Sequence, residues 1–155
     1  MATVSERLAD LGLELPAVAQ PIASYVPAVQ AGEQVFISGQ LPMKEGELLA
    51  RGPVSSAVSV EQAQEAAQRC VLNGLAALGQ ILDEDWSQLV RLAKVSVYVY
   101  SDPDFDRQHQ VANGASDLVG RVLGDAGVHA RSAVGASALP LGASVEVEMA
   151  AVVGR

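Results

Sequence analysis

Cysteine is nearly absent: Cys70 is the only one in 155 residues, so no intramolecular disulfide can form, and the chain suits a reducing compartment. Histidine is almost as scarce. His109 and His129 are the only two, and no Cys/His cluster has metal-binding spacing, so no metal is expected. Aromatic residues make up 4%, which leaves Val, Leu, Ile and Ala to build any core. Basic residues are few, ten against eighteen acidic, for a formal net charge of −8. That field repels phosphate backbones and disfavours nucleic acid as a partner. No apolar run approaches the roughly 20 residues of a membrane span, so no membrane association is expected. The opening "MATVSERLADLGLELP" lacks the basic and then apolar regions of a signal peptide. A cytoplasmic protein is the expectation.

Half of the residues are apolar, and a chain of this length can bury roughly 70% of its unfolded surface, so one domain spanning 1–155 is expected. At its front, Val4, Leu8 and Leu11 fall at helical spacing before Pro16. This predicts a short helix over 5–13 and then an extended segment to Pro21, together an N-terminal helical extension at about 1–20. Residues 25–42, "YVPAVQAGEQVFISGQLP", read as two strands around Ala31-Gly32. "KEGELLARGPV" reads as a loop with a short edge strand. The strongest helix is 60–82, where Ser59 and Gln62 form a capping box and Glu61 meets the positive end of the dipole. Its apolar stripe of Ala63, Ala67, Cys70, Val71, Leu75, Leu78 and Ile81 is rich in small residues, so it can lie close on a sheet. Cys70 on that stripe reads as a buried small hydrophobe, not a nucleophile. A β-rich strand over 89–101 follows, then a helix over 105–123 that "NGAS" could break, and strands at 131–138 and 144–153 around the turn "LPLG". The order is hairpin, helix, strand, helix, hairpin. It predicts an α+β fold with two helices on one face of a mixed β-sheet.

Parity along the last strand says more. Val145, Val147, Met149, Ala151 and Val153 point one way, towards the helices; Ser144, Glu146, Glu148, Ala150 and Val152 point the other. In the preceding strand Arg131, Ala133, Gly135 and Ser137 share a side. Carboxylates mixed with small apolar residues suit neither a full core nor a solvated surface. They suit a subunit interface with a polar pocket in it. Arg131 opens an otherwise small and apolar strand with a guanidinium that stays charged. Spacing leaves two roles for it: an interface ion pair with Glu146 or Glu148, or a bidentate clamp for a small carboxylate ligand. His109, His129, Ser38 and Tyr25 read first as surface, turn or packing residues.

"SGQLP" after a short strand, then "ARSAVGASALP" and "VEVEMAAV" near the end, resemble the Rid family (YjgF-like, imine/enamine deaminases; older label L-PSP endoribonuclease). The resemblance runs from about Pro21 to Val153. It implies a chorismate-mutase-like α+β fold and a homotrimer with clefts between subunits. Carried over residue by residue, it places the carboxylate-binding arginine at Arg131 and the water-positioning glutamate at Glu146. The cleft-lining aromatic falls on Tyr25, and the pocket wall on Ser38 and Gly39. The deaminase branch usually has Cys two residues after the arginine, where this chain has Ala133. It usually reads "PAR", where this chain has His129-Ala130-Arg131. The segment 113–128 is longer than in that branch, which marks Asn113 and His129 as pocket elements of a sister branch of the 2-iminobutyrate/2-iminopropanoate deaminases.

The implied reaction is hydrolysis of a 2-imino acid to a 2-keto acid and ammonia. Its partners would be small 2-imino and 2-keto carboxylic acids. An iminium carbon is already electrophilic, so no cofactor is expected. Two other classes stand beside this one: a non-catalytic regulatory trimer that binds small carboxylates, and an RNA-cleaving translation inhibitor, which the net charge disfavours.

Overall fold

The Ser59–Gln62 capping box opens a helix as the sequence predicts, with both reciprocal hydrogen bonds made, in a computed structural model that describes residues 1–18, 20 and 23–154. This helix, α2 (Val60–Ile81), follows α1 (Val4–Asp10), β1 (Ala28–Ala31), β2 (Gln34–Gln40), β3 (Met43–Lys44) and β4 (Glu47–Leu48). After it come β5 (Leu89–Tyr100), α3 (Gln108–Leu123), β6 (Ala130–Ala136) and β7 (Val145–Val153). Pro21, the expected end of the extended N-terminal segment, lies outside the described residues.

The turn at Ala31-Gly32 joins β1 and β2 in register, and Gly32 adopts φ +63°, a conformation glycine takes without a Cβ penalty. β1, β2, β7, β5 and β6 form one sheet in that order, and β3 and β4 form a separate two-stranded ribbon. Both long helices pack on the same face. Leu75 and Leu78 of α2, Val111 and Val119 of α3, and Leu92, Val95, Val97 and Val99 of β5 are fully buried between the layers. Each such aliphatic side chain contributes about 1.5–3 kcal/mol by leaving water. Cys70 is buried here too, and burial pushes its thiol well above its usual range.

The structure closes one open possibility and overturns one expectation. α3 is unbroken through "NGAS" because Gly114 sits where a Cβ would overlap the backbone of Gln64, so its glycine lets α2 and α3 approach closely. The second difference changes the topology. β6 and β7 do not form a hairpin; each pairs with β5, β6 in parallel and β7 antiparallel. Twelve residues long and apolar at alternate positions, β5 takes the place between them. The run β5–α3–β6 is a crossover unit, and a helix between two strands brings them parallel.

Among the described residues no helix covers the opposite sheet face. It carries Phe36 beside Ala150, Glu148 beside Ser96, and Glu146 beside Tyr98, with Val134 in line with Tyr98 on β6. Phe36 is 46% exposed and Val134 48% exposed. β7 alternates as the parity argument predicts, buried at Val145, Val147, Met149, Ala151 and Val153 and half-buried between.

Candidate functional site

The end of β2 makes the first half of the site. The β2–β7 register slips between Ile37 and Gln40, and this bulge turns Gly39 onto Glu146. A side chain at 39 would collide with the Glu146 carboxylate. Glycine leaves the Glu146 carboxylate room to rest against this backbone, and any larger residue would push it aside. Ser38 Oγ donates to the Val26 carbonyl at 2.6 Å, which ties the segment bearing Tyr25 down beside β2. Tyr25, Pro27, Gly39, Gln40, Asn73 and Glu146 are among the walls of a cavity of about 70 Å³, with Leu41, Met43 and Pro140. That volume is well below the few hundred Å³ of a site enclosing a drug-sized ligand, so the cavity fits only the end of a small molecule.

Glu146 and Glu148 share this strand face but differ in their partners. Glu148 Oε1 accepts the Tyr98 hydroxyl at 2.6 Å, and that bond to a carboxylate raises the phenol above its usual range. Glu146 has no such donor among the described residues and faces the cavity. Burial, and then the charge of Glu148, raise its carboxyl above the ordinary value. The walls also carry two side-chain amides, each held by donating to backbone carbonyls. Asn73, buried on α2, donates its amide to the Leu41 and Met43 carbonyls, both at 3.0 Å. Gln40 donates to the Ser38 carbonyl at 3.0 Å.

Arg131 is elsewhere. The parallel pairing sets it in register with Val95, so it projects on the helix side of the edge strand, away from the face of Glu146. Its Nη1 donates to Asn113 Oδ1 at 2.9 Å and Ser116 Oγ at 3.2 Å, and its Nη2 to the His109 carbonyl at 3.4 Å. His129 bonds Ser116 Oγ at 2.9 Å and the Gly127 carbonyl at 2.6 Å. Asn113 and His129 thus gather round Arg131, whereas Ala133 packs against the core. Within one chain, then, the predicted residues fall into two groups, with Tyr25, Gly39 and Glu146 in one and Asn113, His129 and Arg131 in the other.

Gln40, Asn73 and Ser116 escape a reading of the sequence alone. Asn73 leaves a trace, a polar residue between Leu72 and Leu75 in an otherwise apolar helix segment; Ser116 lies three residues after Asn113, one turn along the same face of α3.

A model of the family described as Endoribonuclease L-PSP matches residues 16–153, nearly the whole chain. The chain belongs to this family, the YjgF/Rid superfamily. A Trypanosoma cruzi protein named TCP17 is 41% identical over 146 residues, covering 94% of this chain and 91% of its own length. A crystal structure of an Agrobacterium tumefaciens protein of unknown function superposes with a TM-score of 0.91 at 42% identity, covering 97% of this chain and 93% of that one. A Dermatophagoides farinae protein named 2-iminobutanoate/2-iminopropanoate deaminase is 27% identical over 143 residues, 91% of this chain and 94% of its own. The L-PSP match begins at residue 16, so α1 lies outside it. Among the described residues no helix is long and apolar enough to cross a membrane.

Proposed function

We propose that this protein is a homotrimeric deaminase that hydrolyses small 2-imino acids to 2-keto acids and ammonia, in clefts between its subunits. The observation that carries this reading is the division of the site. Glu146 lines a cavity whose described walls hold no cation, while Arg131 stands on the far edge strand with no acid among its bonded partners. The open sheet face, with Phe36 and Val134 exposed, supports the contact between copies that would join the two halves. The deaminase named in the mite, aligned along most of its length, supports the reaction class.

Arg131 of one subunit would hold the substrate carboxylate, and the cavity of the next would take the imine end. Glu146 orients a water against the imine carbon and accepts its proton as the C–O bond forms. In the resulting carbinolamine that proton passes to the nitrogen, the C–N bond breaks to release ammonia, and Glu146 takes the hydroxyl proton as the C=O of the keto acid forms. A raised carboxyl pKa makes Glu146 a stronger base than an exposed glutamate, and a positioned base contributes about 10²- to 10⁴-fold.

The test is ammonia release from freshly generated 2-iminobutyrate, measured against the spontaneous rate, together with pyruvate binding by calorimetry. Turnover in the parent and loss of pyruvate binding in Arg131→Lys are expected, because an ammonium cannot reproduce the planar fork. Pyruvate binding without turnover would make the protein a carboxylate-binding module and overturn the enzymatic reading.

A further inference from the structure

A guanidinium carries five N–H donors in a fixed planar fork. Arg131 uses three of them: two on Nη1, to Asn113 Oδ1 and Ser116 Oγ, and one on Nη2, to the His109 carbonyl. Nε donates to no acceptor among the described residues, Nη2 donates to one only, and these two nitrogens share one edge of the fork. Two parallel donors match the two oxygens of a carboxylate.

Ser116 is itself held. His129 Nδ1 lies 2.6 Å from the Gly127 carbonyl and its Nε2 lies 2.9 Å from Ser116 Oγ. A carbonyl can only accept, so Nδ1 carries the proton. With Nδ1 carrying the only ring proton, Nε2 accepts from the Ser116 hydroxyl, and the Ser116 oxygen turns its lone pairs to Arg131. The groups bonded to Arg131, an amide oxygen, a hydroxyl and a backbone carbonyl, carry no charge. They orient the guanidinium without cancelling its charge, whereas a carboxylate at any of these points would compete with a ligand.

We infer that Asn113, Ser116 and His129 are positioning residues. They are not substrate contacts; they lock Arg131 so that its Nε edge faces outward as a clamp for the acid end of a small 2-imino or 2-keto acid. The ligand in this statement rests on the function proposed above. The locking of the guanidinium does not.

Two measurements separate these parts. In nitrogen-15 NMR of the full chain, the Nη1 and Nη2 protons of Arg131, assigned by their loss in Arg131→Lys, should give distinct signals, because rotation about the Cζ–Nε bond is hindered. They should average in Ser116→Ala and separate again in Ser116→Thr. In parallel, pyruvate binding should weaken about tenfold in Ser116→Ala and His129→Phe, as expected for a lost hydrogen bond to a charged group. KM for 2-iminobutyrate should rise by a similar factor with kcat within about twofold, and Ser116→Thr should recover both. Asn113→Ala, at an exposed helix position, repeats the test without touching a buried atom. Averaged signals in the parent, or unchanged signals and affinity in Ser116→Ala and Asn113→Ala, would overturn the positioning role. A locked Arg131 in a parent that binds no pyruvate would uphold the positioning and remove the clamp, and with it the deaminase reading.

Discussion

The surroundings of Arg131 and of Glu146 differ in kind. Arg131 lies on an exposed edge strand, and its three bonds go to uncharged acceptors. Water and those acceptors solvate the charge, so holding it there costs little. Glu146 lies half-buried among apolar and amide walls beside another carboxylate, and its ionised form is disfavoured. Within one chain the two charges stabilise nothing together, because they project from opposite faces of the sheet. A cation kept charged and oriented is fit to hold an anion. A carboxylate with a raised pKa is fit to take a proton. In the proposed reaction this contrast would separate a binding half from a reacting half.

The largest effect should come from keeping the halves apart. Val134→Glu on the open face places a charge where a second copy would pack. The parent should sediment as a trimer, and the variant as a folded monomer with no ammonia release above background. A parent that stays monomeric at micromolar concentration would break the shared site, since neither half is then completed by a neighbour.

Next in size is the difference between the two glutamates. Glu146→Gln should lower kcat for 2-iminobutyrate by about 10²- to 10⁴-fold while pyruvate still binds, because the amide keeps the shape but cannot take a proton. Glu148→Gln should change kcat only a few-fold, since the Tyr98 hydroxyl already engages its carboxylate. Equal losses would mean that the two carboxylates act as a unit.

The smallest effect is on stability. Glu146 titrates above 4.5 in the folded chain because of burial and then the Glu148 charge. The folded state therefore binds that proton more tightly than the unfolded state. Its stability is greatest with Glu146 protonated and falls as pH rises from 4.5 through the raised folded value. Glu146→Gln removes this titration, so Tm of the parent should fall relative to that variant by on the order of a degree as pH rises across this range. Parallel pH profiles in the two would show that Glu146 does not titrate in this way in the folded protein.

Much of this was legible in the residues. The Ser59–Gln62 box and the α2 stripe are local, since caps and periodicity depend on atoms within a turn or two. Strand parity is local as well, and it sorted the residues of β7 correctly. Parity fixes which residues of one strand share a side, but which side meets the core depends on the strand alongside. For β6 that partner is β5 in parallel, not β7 in a hairpin, and this alone sent Arg131 to the helix side. The approach of Gly39 to Glu146 likewise needs a register slip between β2 and β7. The Asn73 site needs α2 packed beside the loop after β2, 30 or more residues away in sequence. The sequence by itself determined the elements and the chemistry each carries. Only the tertiary structure decided which of those groups meet, because long-range pairing is set by how whole elements bury their faces and not by any residue's neighbours along the chain.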